Sequence, residues 1–259
     1  SIIKRVRKAF DDIGYEITED LRQNALFDTS YYSVPQKRKR VIIFGIRKSE
    51  TSTKKISEFY SLIKEKASDK PLNSKSAFDN LPKIYPSKSS SKFSHTVNPE
   101  DLSSIKNHEP RKHSARDIEI FKLLTSDILS GLEKYTSTKA LVQLYKEKTG
   151  KDSRFHKYHV IREDRPSNTI PAHLYKDGLR HIHPDPDQAR SITVREAARL
   201  QTFPDSFIFY GLRTRLSHKL LAKKGIHSEM HLDQFNQVGN AVPPKMAELL
   251  AVQLIKSKR

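Results

Sequence analysis

The run Val41-Ile-Ile-Phe-Gly-Ile46 constrains the fold more than any other stretch of the chain. An unbroken apolar segment of this length reads as a strand covered on both faces, as in an α/β sheet. It is entered directly from Gln36-Lys-Arg-Lys-Arg40, which puts a basic loop at a sheet edge, where the binding sites of α/β folds gather. In extended chain Gln36, Arg38 and Arg40 fall on one side, with Lys37 and Lys39 on the other. Two guanidiniums beside an amide suit a phosphate or the polar edge of a base, and the same residues also read as a solvated charge run before a strand.

Around this junction the pattern predicts further elements. Val6, Ala9, Phe10 and Ile13 recur at helical spacing and Gly14 stops them; Tyr15 to Leu21 alternates like a strand. A helix is expected near Ile56 to Lys66, followed by a serine- and lysine-rich, poorly patterned stretch to about Pro99. Ser114 with Asp117 caps a helix whose stripe is Ile118, Phe121, Leu124 and Ile128, and a second helix runs from Lys139 to Lys148 and stops at Gly150. Thr193-Val-Arg-Glu196 fits a capping box, and Pro243-Pro244 opens a closing helix whose buried face is Met246, Leu249, Leu250 and Leu254.

Charge narrows the partner. Forty-eight lysines and arginines face 30 acidic residues, a formal +18, which favours a polyanion, with nucleic acid first. There is no apolar stretch long enough to span a bilayer, the basic residues are scattered rather than gathered on one amphipathic helix, and the start carries no signal-peptide pattern, so the expectation is a cytoplasmic, nucleoid-associated protein. The 259 residues include no cysteine, which excludes disulfides, thiolate metal sites and a cysteine nucleophile from these residues. Eleven histidines form no HExxH pattern, and His181 and His183 read as ordinary loop residues, so no metal is expected.

Three segments in order share one resemblance: Val34-Pro-Gln-Lys-Arg-Lys-Arg-Val-Ile-Ile-Phe-Gly-Ile-Arg47, Gln188 to Phe209 (QARSITVREAARLQTFPDSFIF) and Gln237-Val-Gly-Asn-Ala-Val-Pro-Pro244. They resemble the cytosine-5 DNA methyltransferases. Ser33 stands where that family usually has glycine, and its glycine-rich cofactor loop, proline-cysteine loop and glutamate-asparagine-valine segment find no counterpart.

The resemblance implies methyl transfer from S-adenosylmethionine to C5 of a cytosine flipped out of duplex DNA, attacked at C6 by a cysteine thiolate. It implies supporting catalytic roles for Arg38 and Arg40 beside the base and its phosphate, with Gln36 ordering the loop. Asn240, Ala241 and Val242 would lie along the cofactor edge, Asn240 making the polar contact. DNA contacts are expected from Gln36, Arg38, Arg40, Arg165 and Arg195. For Arg195 and Arg199, four apart on one helix, a phosphate, an acidic partner and an exposed salt-bridged face all remain open.

The expected fold is α/β: the edge of a methyltransferase, Rossmann-like sheet over residues 1–50, a mixed, loop-rich target-recognition domain over 51–230, and a loop and helix returning to the catalytic domain over 231–259. On this reading the chain is the C-terminal, target-recognising half of such an enzyme, either the second subunit of a split enzyme or a fragment of a longer chain. The cysteine would then come from a partner subunit or missing N-terminal half. The alternative is a non-catalytic, sequence-specific DNA-binding module on the same scaffold. The hydrophilic addition between Leu212 and Asn236 has no assigned role.

Overall fold

The computed structural model describes residues 2–87, 95–96, 105–174, 176, 178–214, 225 and 233–257. The chain opens with α1 (Ile2–Asp12), and Gly14, at φ +77°, makes the left-handed turn into β1 (Tyr15–Ile17). A one-turn helix α2 (Leu21–Asn24), capped by the Asp20 carboxylate, leads to β2 (Leu26–Asp28), and the returning chain forms β3 (Lys39–Val41) and β4 (Gly45–Arg47). Next come α3 (Ser52–Lys64), the short antiparallel pair β5 (Tyr85–Pro86) and β6 (His95–Thr96), α4 (Ala115–Leu129), α5 (Thr138–Thr149), α6 (Val194–Leu200), α7 (Gln234–Asn240) and α8 (Pro244–Lys256). The chain is thus a mixed α/β protein. Most of the addition after Leu212 lies outside the described residues.

The helix ends follow their local chemistry. Ser114 accepts from the Asp117 N–H, Gly150 closes α5 at φ +68°, and the Thr193–Glu196 capping box is complete in both directions.

The run Val41–Ile46 departs from the expectation of one strand buried on both faces. β3 pairs antiparallel with β2, Leu26 opposite Val41, whereas β4 pairs antiparallel with β1, Tyr15 opposite Arg47. In the gap the Tyr60 hydroxyl accepts from the Phe44 N–H and donates to the Ile42 carbonyl, both at 3.0 Å, in place of ladder bonds. The side chains alternate: Ile42, Phe44 and Ile46 turn inward, while Val41 is 53% and Ile43 38% exposed. A one-faced antiparallel ribbon gives this pattern. Among the described residues the strands form three two-stranded sheets.

Three cores follow. In the first, α3 lays Ile56, Phe59, Tyr60 and Ile63 against the ribbon, and α8 returns from the far end of the chain to add Met246. The expected boundary after residue 50 therefore falls ahead of a helix that packs on β1, β4 and α8. The second core surrounds α6 and α7, with Ile161, Ile170 and Leu174 beneath them; the third joins α4 and α5 through Phe121, Leu124 and Leu144. Among the described residues no helix is long and apolar enough to cross a membrane.

Ser33 holds φ +59°, a conformation that costs a side-chain-bearing residue about 1–2 kcal/mol. Ser33→Gly removes that strain but adds flexibility to the unfolded chain. The expected net gain is about 0.5–1 kcal/mol by urea denaturation; destabilisation would show that the Ser33 side chain contributes more than its backbone costs.

Candidate functional site

The segment Pro35–Arg38 is clamped along both edges. Along one edge the Lys37 N–H donates to the Ser167 carbonyl (2.8 Å), the Ser167 N–H donates to the Pro35 carbonyl (3.1 Å), and the Thr169 hydroxyl donates to the Lys37 carbonyl (2.7 Å). Along the other, the Thr29 hydroxyl donates to the Gln36 carbonyl and the Thr29 N–H to that of Arg38. Backbone groups in a non-repetitive segment need such partners once water is excluded.

Gln36 is fully buried. Its Nε2 donates to the Gln201 Oε1 (3.0 Å) and the Leu200 carbonyl (3.3 Å), its Oε1 accepts from the Ile170 N–H (2.9 Å), and Gln201 Nε2 donates onward to the Val238 carbonyl (2.8 Å). Arg38 is 6% exposed, and its two terminal nitrogens donate to the carbonyls of Ile170 (2.8 Å) and Gly239 (3.1 Å). Burial, and then the neighbouring charge of Arg40, pulls this guanidinium down to about 10, which still leaves it cationic at neutral pH.

The Gln36–Arg40 loop and the turn at Asn240 therefore meet. α7 ends at Asn240, which is exposed and whose amide makes no hydrogen bond among the described residues; Ala241 is half-buried, and Val242 is 61% exposed. Gly239 makes the approach possible, because a Cβ there would collide with the Pro171 carbonyl and Ala172. Gly239→Ala is expected to force the turn off Pro171 at about 1–3 kcal/mol, read by chemical denaturation. A change under about 0.5 kcal/mol, the range of an ordinary surface substitution, would show the contact to be slack.

Arg40 is exposed on β3. Its Nη1 donates only to the neighbouring Lys39 carbonyl (2.7 Å), and no carboxylate pairs with it among the described residues. Arg165 is exposed too, its Nε and Nη2 held by the adjacent Asp164 carboxylate at 3.1 and 3.0 Å.

Arg195 requires a correction. Rather than reaching solvent, it is fully buried, donating through Nε to the Lys106 carbonyl, Nη1 to Pro204 and Nη2 to Phe207, at 3.0, 3.1 and 2.7 Å. Two of its nitrogens hold the turn after α6 and the third holds the Lys106 carbonyl, so all three are engaged inside the protein. The paired Arg199 grips Asp205 with two bonds of 2.9 and 2.6 Å, the salt-bridged outcome for that face. Gln36 likewise acts inside the protein, ordering the loop.

Sequence reading missed Gln201 and Ser167–Ile170, the partners that fix the loop, and the buried Arg190–Glu196 pair beneath α6. An amide placed directly after Leu200, the last residue of α6, was the available signal for Gln201; Ser167–Ile170 carried none.

The Asn240 amide, without a hydrogen bond among the described residues, and the exposed Val242 are of a kind to meet one edge of an adenosyl group and enclose none of it. Among the described residues, no three histidine, aspartate or glutamate side chains are placed to hold a metal ion.

A family model described as C-5 cytosine-specific DNA methylase matches residues 1–256. The chain is 31% identical to the Type II methyltransferase M.Bpa9945I of Bacillus paralicheniformis over 273 residues, covering 96% of this chain and 55% of that protein. It is 25% identical to the Type II methyltransferase M.DdeI of Desulfomicrobium norvegicum over 264 residues, 96% of this chain and 56% of that one. With the Type II methyltransferase M.AquIB of Picosynechococcus it shares 35% identity over 147 residues, 57% of this chain and 85% of that protein. The chain spans about half the length of the first two relatives. The expectation that it is the C-terminal half of such an enzyme is overturned, because the family match runs from residue 1 to 256 and these relatives align over 96% of the chain.

Proposed function

The chain belongs to the C-5 cytosine-specific DNA methylases, a family that uses S-adenosylmethionine, and on that premise we propose that it binds duplex DNA and takes part in methylating C5 of a flipped cytosine. The observation that carries this reading is the hydrogen bond from Arg38 to the Gly239 carbonyl, which brings the arginine loop and the Asn240 turn to one place.

In this reading Arg38 is a positioning residue. It ties the loop to Ile170 and Gly239 and leaves Arg40, two residues on and on the same side of an extended chain, at the open rim. Arg40 faces the phosphate or the base, where a guanidinium stabilises negative charge as it develops. Asn240, Ala241 and Val242 line one edge of the cofactor, which supplies the methyl group when bound. The ribbon, α3 and α8 form the edge of a methyltransferase-type sheet. The region after α3 reads DNA, with the exposed Arg165 at its surface.

C6 attack needs a thiolate, and these 259 residues contain no cysteine. The nucleophile therefore comes from protein outside them. The same fact favours a second reading, a DNA-binding module without transfer activity. Incubation with tritiated S-adenosylmethionine, duplex DNA and a family protein that carries the cysteine separates the two. Label incorporated into DNA only when both proteins are present supports methyl transfer; tight DNA binding with no label in any mixture supports the module.

A further inference from the structure

The stretch between α5 and Tyr158 carries positive charge and an aromatic ring out of the third core. Gly150 turns the chain out of α5 in the left-handed conformation, and Tyr158, 1% exposed, brings it back beside Tyr145, the two ring centroids 6.1 Å apart. Between these anchors stand Lys151, Arg154 and Lys157 against one acid, Asp152, whose carboxylate is taken by Lys146 at 2.9 Å. Lys151 and Arg154 are exposed, and their side chains make no hydrogen bond or ion pair among the described residues.

Phe155 lies in the middle of this stretch with its side chain 57% exposed. The Ser153 hydroxyl donates to the Phe155 carbonyl at 2.7 Å, which fixes the local backbone, and the Lys157 ammonium sits 4.4 Å from the centre of the ring. A lone exposed ring needs no explanation. A ring held in place under one cation and next in sequence to another joins the two chemistries that nucleic acid offers, anionic phosphates and apolar base surface.

Placement points the same way. His156, adjacent to Phe155, lines a cleft together with Thr169 and Pro171. The Thr169 hydroxyl donates to the Lys37 carbonyl, and Pro171 abuts Gly239, so this stretch shares a cleft with the residues that clamp the arginine loop.

We propose that residues 151–157 form a DNA-contacting loop, in which Arg154 and Lys157 take backbone phosphates and the Phe155 ring lies against base edges in a groove. The inference rests on the reading of duplex DNA as the ligand. It adds to the arginine loop an apolar contact that salt does not screen, and it separates the loop's positioning contacts from the one that meets the bases.

The test is fluorescence anisotropy of the 259-residue chain with a labelled mixed-sequence duplex across a salt series, with circular dichroism confirming the fold of each variant. Arg154→Gln and Lys157→Gln are each expected to lower the slope of log affinity against log salt by about one. Phe155→Ala is expected to weaken binding about tenfold at every salt concentration with the slope unchanged, the effect of withdrawing one large apolar contact. Phe155→Tyr, which keeps the ring, should bind like the wild type. A fall in slope on Phe155→Ala equal to that of Lys157→Gln, with no loss at high salt, would show that the ring only holds the ammonium and would overturn the apolar contact. Wild-type binding with all the variants indistinguishable from it would overturn the loop and leave the DNA reading standing. A wild-type chain that bound no duplex at any salt would overturn both.

Discussion

Replacing Arg190 with methionine is expected to destabilise the chain by about 3–5 kcal/mol, more than any other single change at a polar position described above. Arg190 and Glu196 are both buried, joined by two hydrogen bonds of 2.7 and 2.6 Å; the same carboxylate accepts from the Thr193 N–H at 2.7 Å, closing the capping box. Arg190 Nη2 also donates to Gln188 Oε1 at 2.6 Å, and that oxygen accepts from the Ile84 N–H at 3.0 Å. Through Gln188 the pair thus fastens the start of α6 to the segment that leads into β5. Burial alone would raise the Glu196 carboxyl, but Arg190 first and His183 second outweigh it and hold it well below the usual carboxylate range. Without Arg190 a buried carboxylate has lost its main counter-charge.

Two measurements confirm that cause. Arg190→Met with Glu196→Leu, which removes both charges, should recover most of the loss in urea denaturation, because a buried ion pair is worth little more than well-packed apolar groups. In the single variant the deficit should shrink as pH falls, since the stranded carboxyl takes up a proton. Equal losses in the single and double variants would show that Arg190 matters through its shape and its bond to Gln188 instead.

The wild-type protein carries its own acid lability. Burial pushes His183 and His108 below the ordinary imidazole value of 6.5, so the unfolded chain binds protons that the folded one refuses. That stability is present above 6.5 and is lost as pH falls below it. Glu196, depressed from 4.5, adds a further loss at lower pH. A thermal midpoint lower at about pH 5 than at about pH 7 is expected from the histidines alone.

These buried groups also mark what sequence reading reaches. Ser114, Gly150, the Thr193–Glu196 box and Pro244 were legible because each is settled within a few residues of itself. The burial of Arg38 was not, because its acceptors, Ile170 and Gly239, lie 132 and 201 positions away. Arg195 failed for the same reason: a basic residue on a short helix reads as exposed until Lys106 and the turn after α6 supply carbonyls. Val41–Ile46 misled through composition, since an apolar run does not reveal that Tyr60 interrupts its pairing and only alternate residues face inward. What crossed that barrier was the order of three segments. Gln36–Arg40, the Gln201 helix and the Gly239 turn are far apart in sequence and joined by side-chain bonds in the fold.

The same geometry separates two arginines that look equivalent in sequence. With a cysteine-bearing family protein present, Arg40→Ala is expected to lower the rate of methyl transfer about 10²-fold, the usual consequence of removing one donor from developing negative charge. Its stability should stay within about 0.5 kcal/mol, because the side chain is exposed and donates only to the adjacent Lys39 carbonyl. Arg38→Ala should lose stability and transfer together, since it strips buried carbonyls of Ile170 and Gly239 of their donor and frees the loop. Arg40→Lys should keep most of the DNA affinity and recover little of the rate, because an ammonium restores the charge without the planar fork. The decisive comparison is transfer rate against DNA affinity for Arg40→Ala: a loss confined to the rate places the guanidinium at the base, whereas equal losses in both reduce it to a phosphate contact.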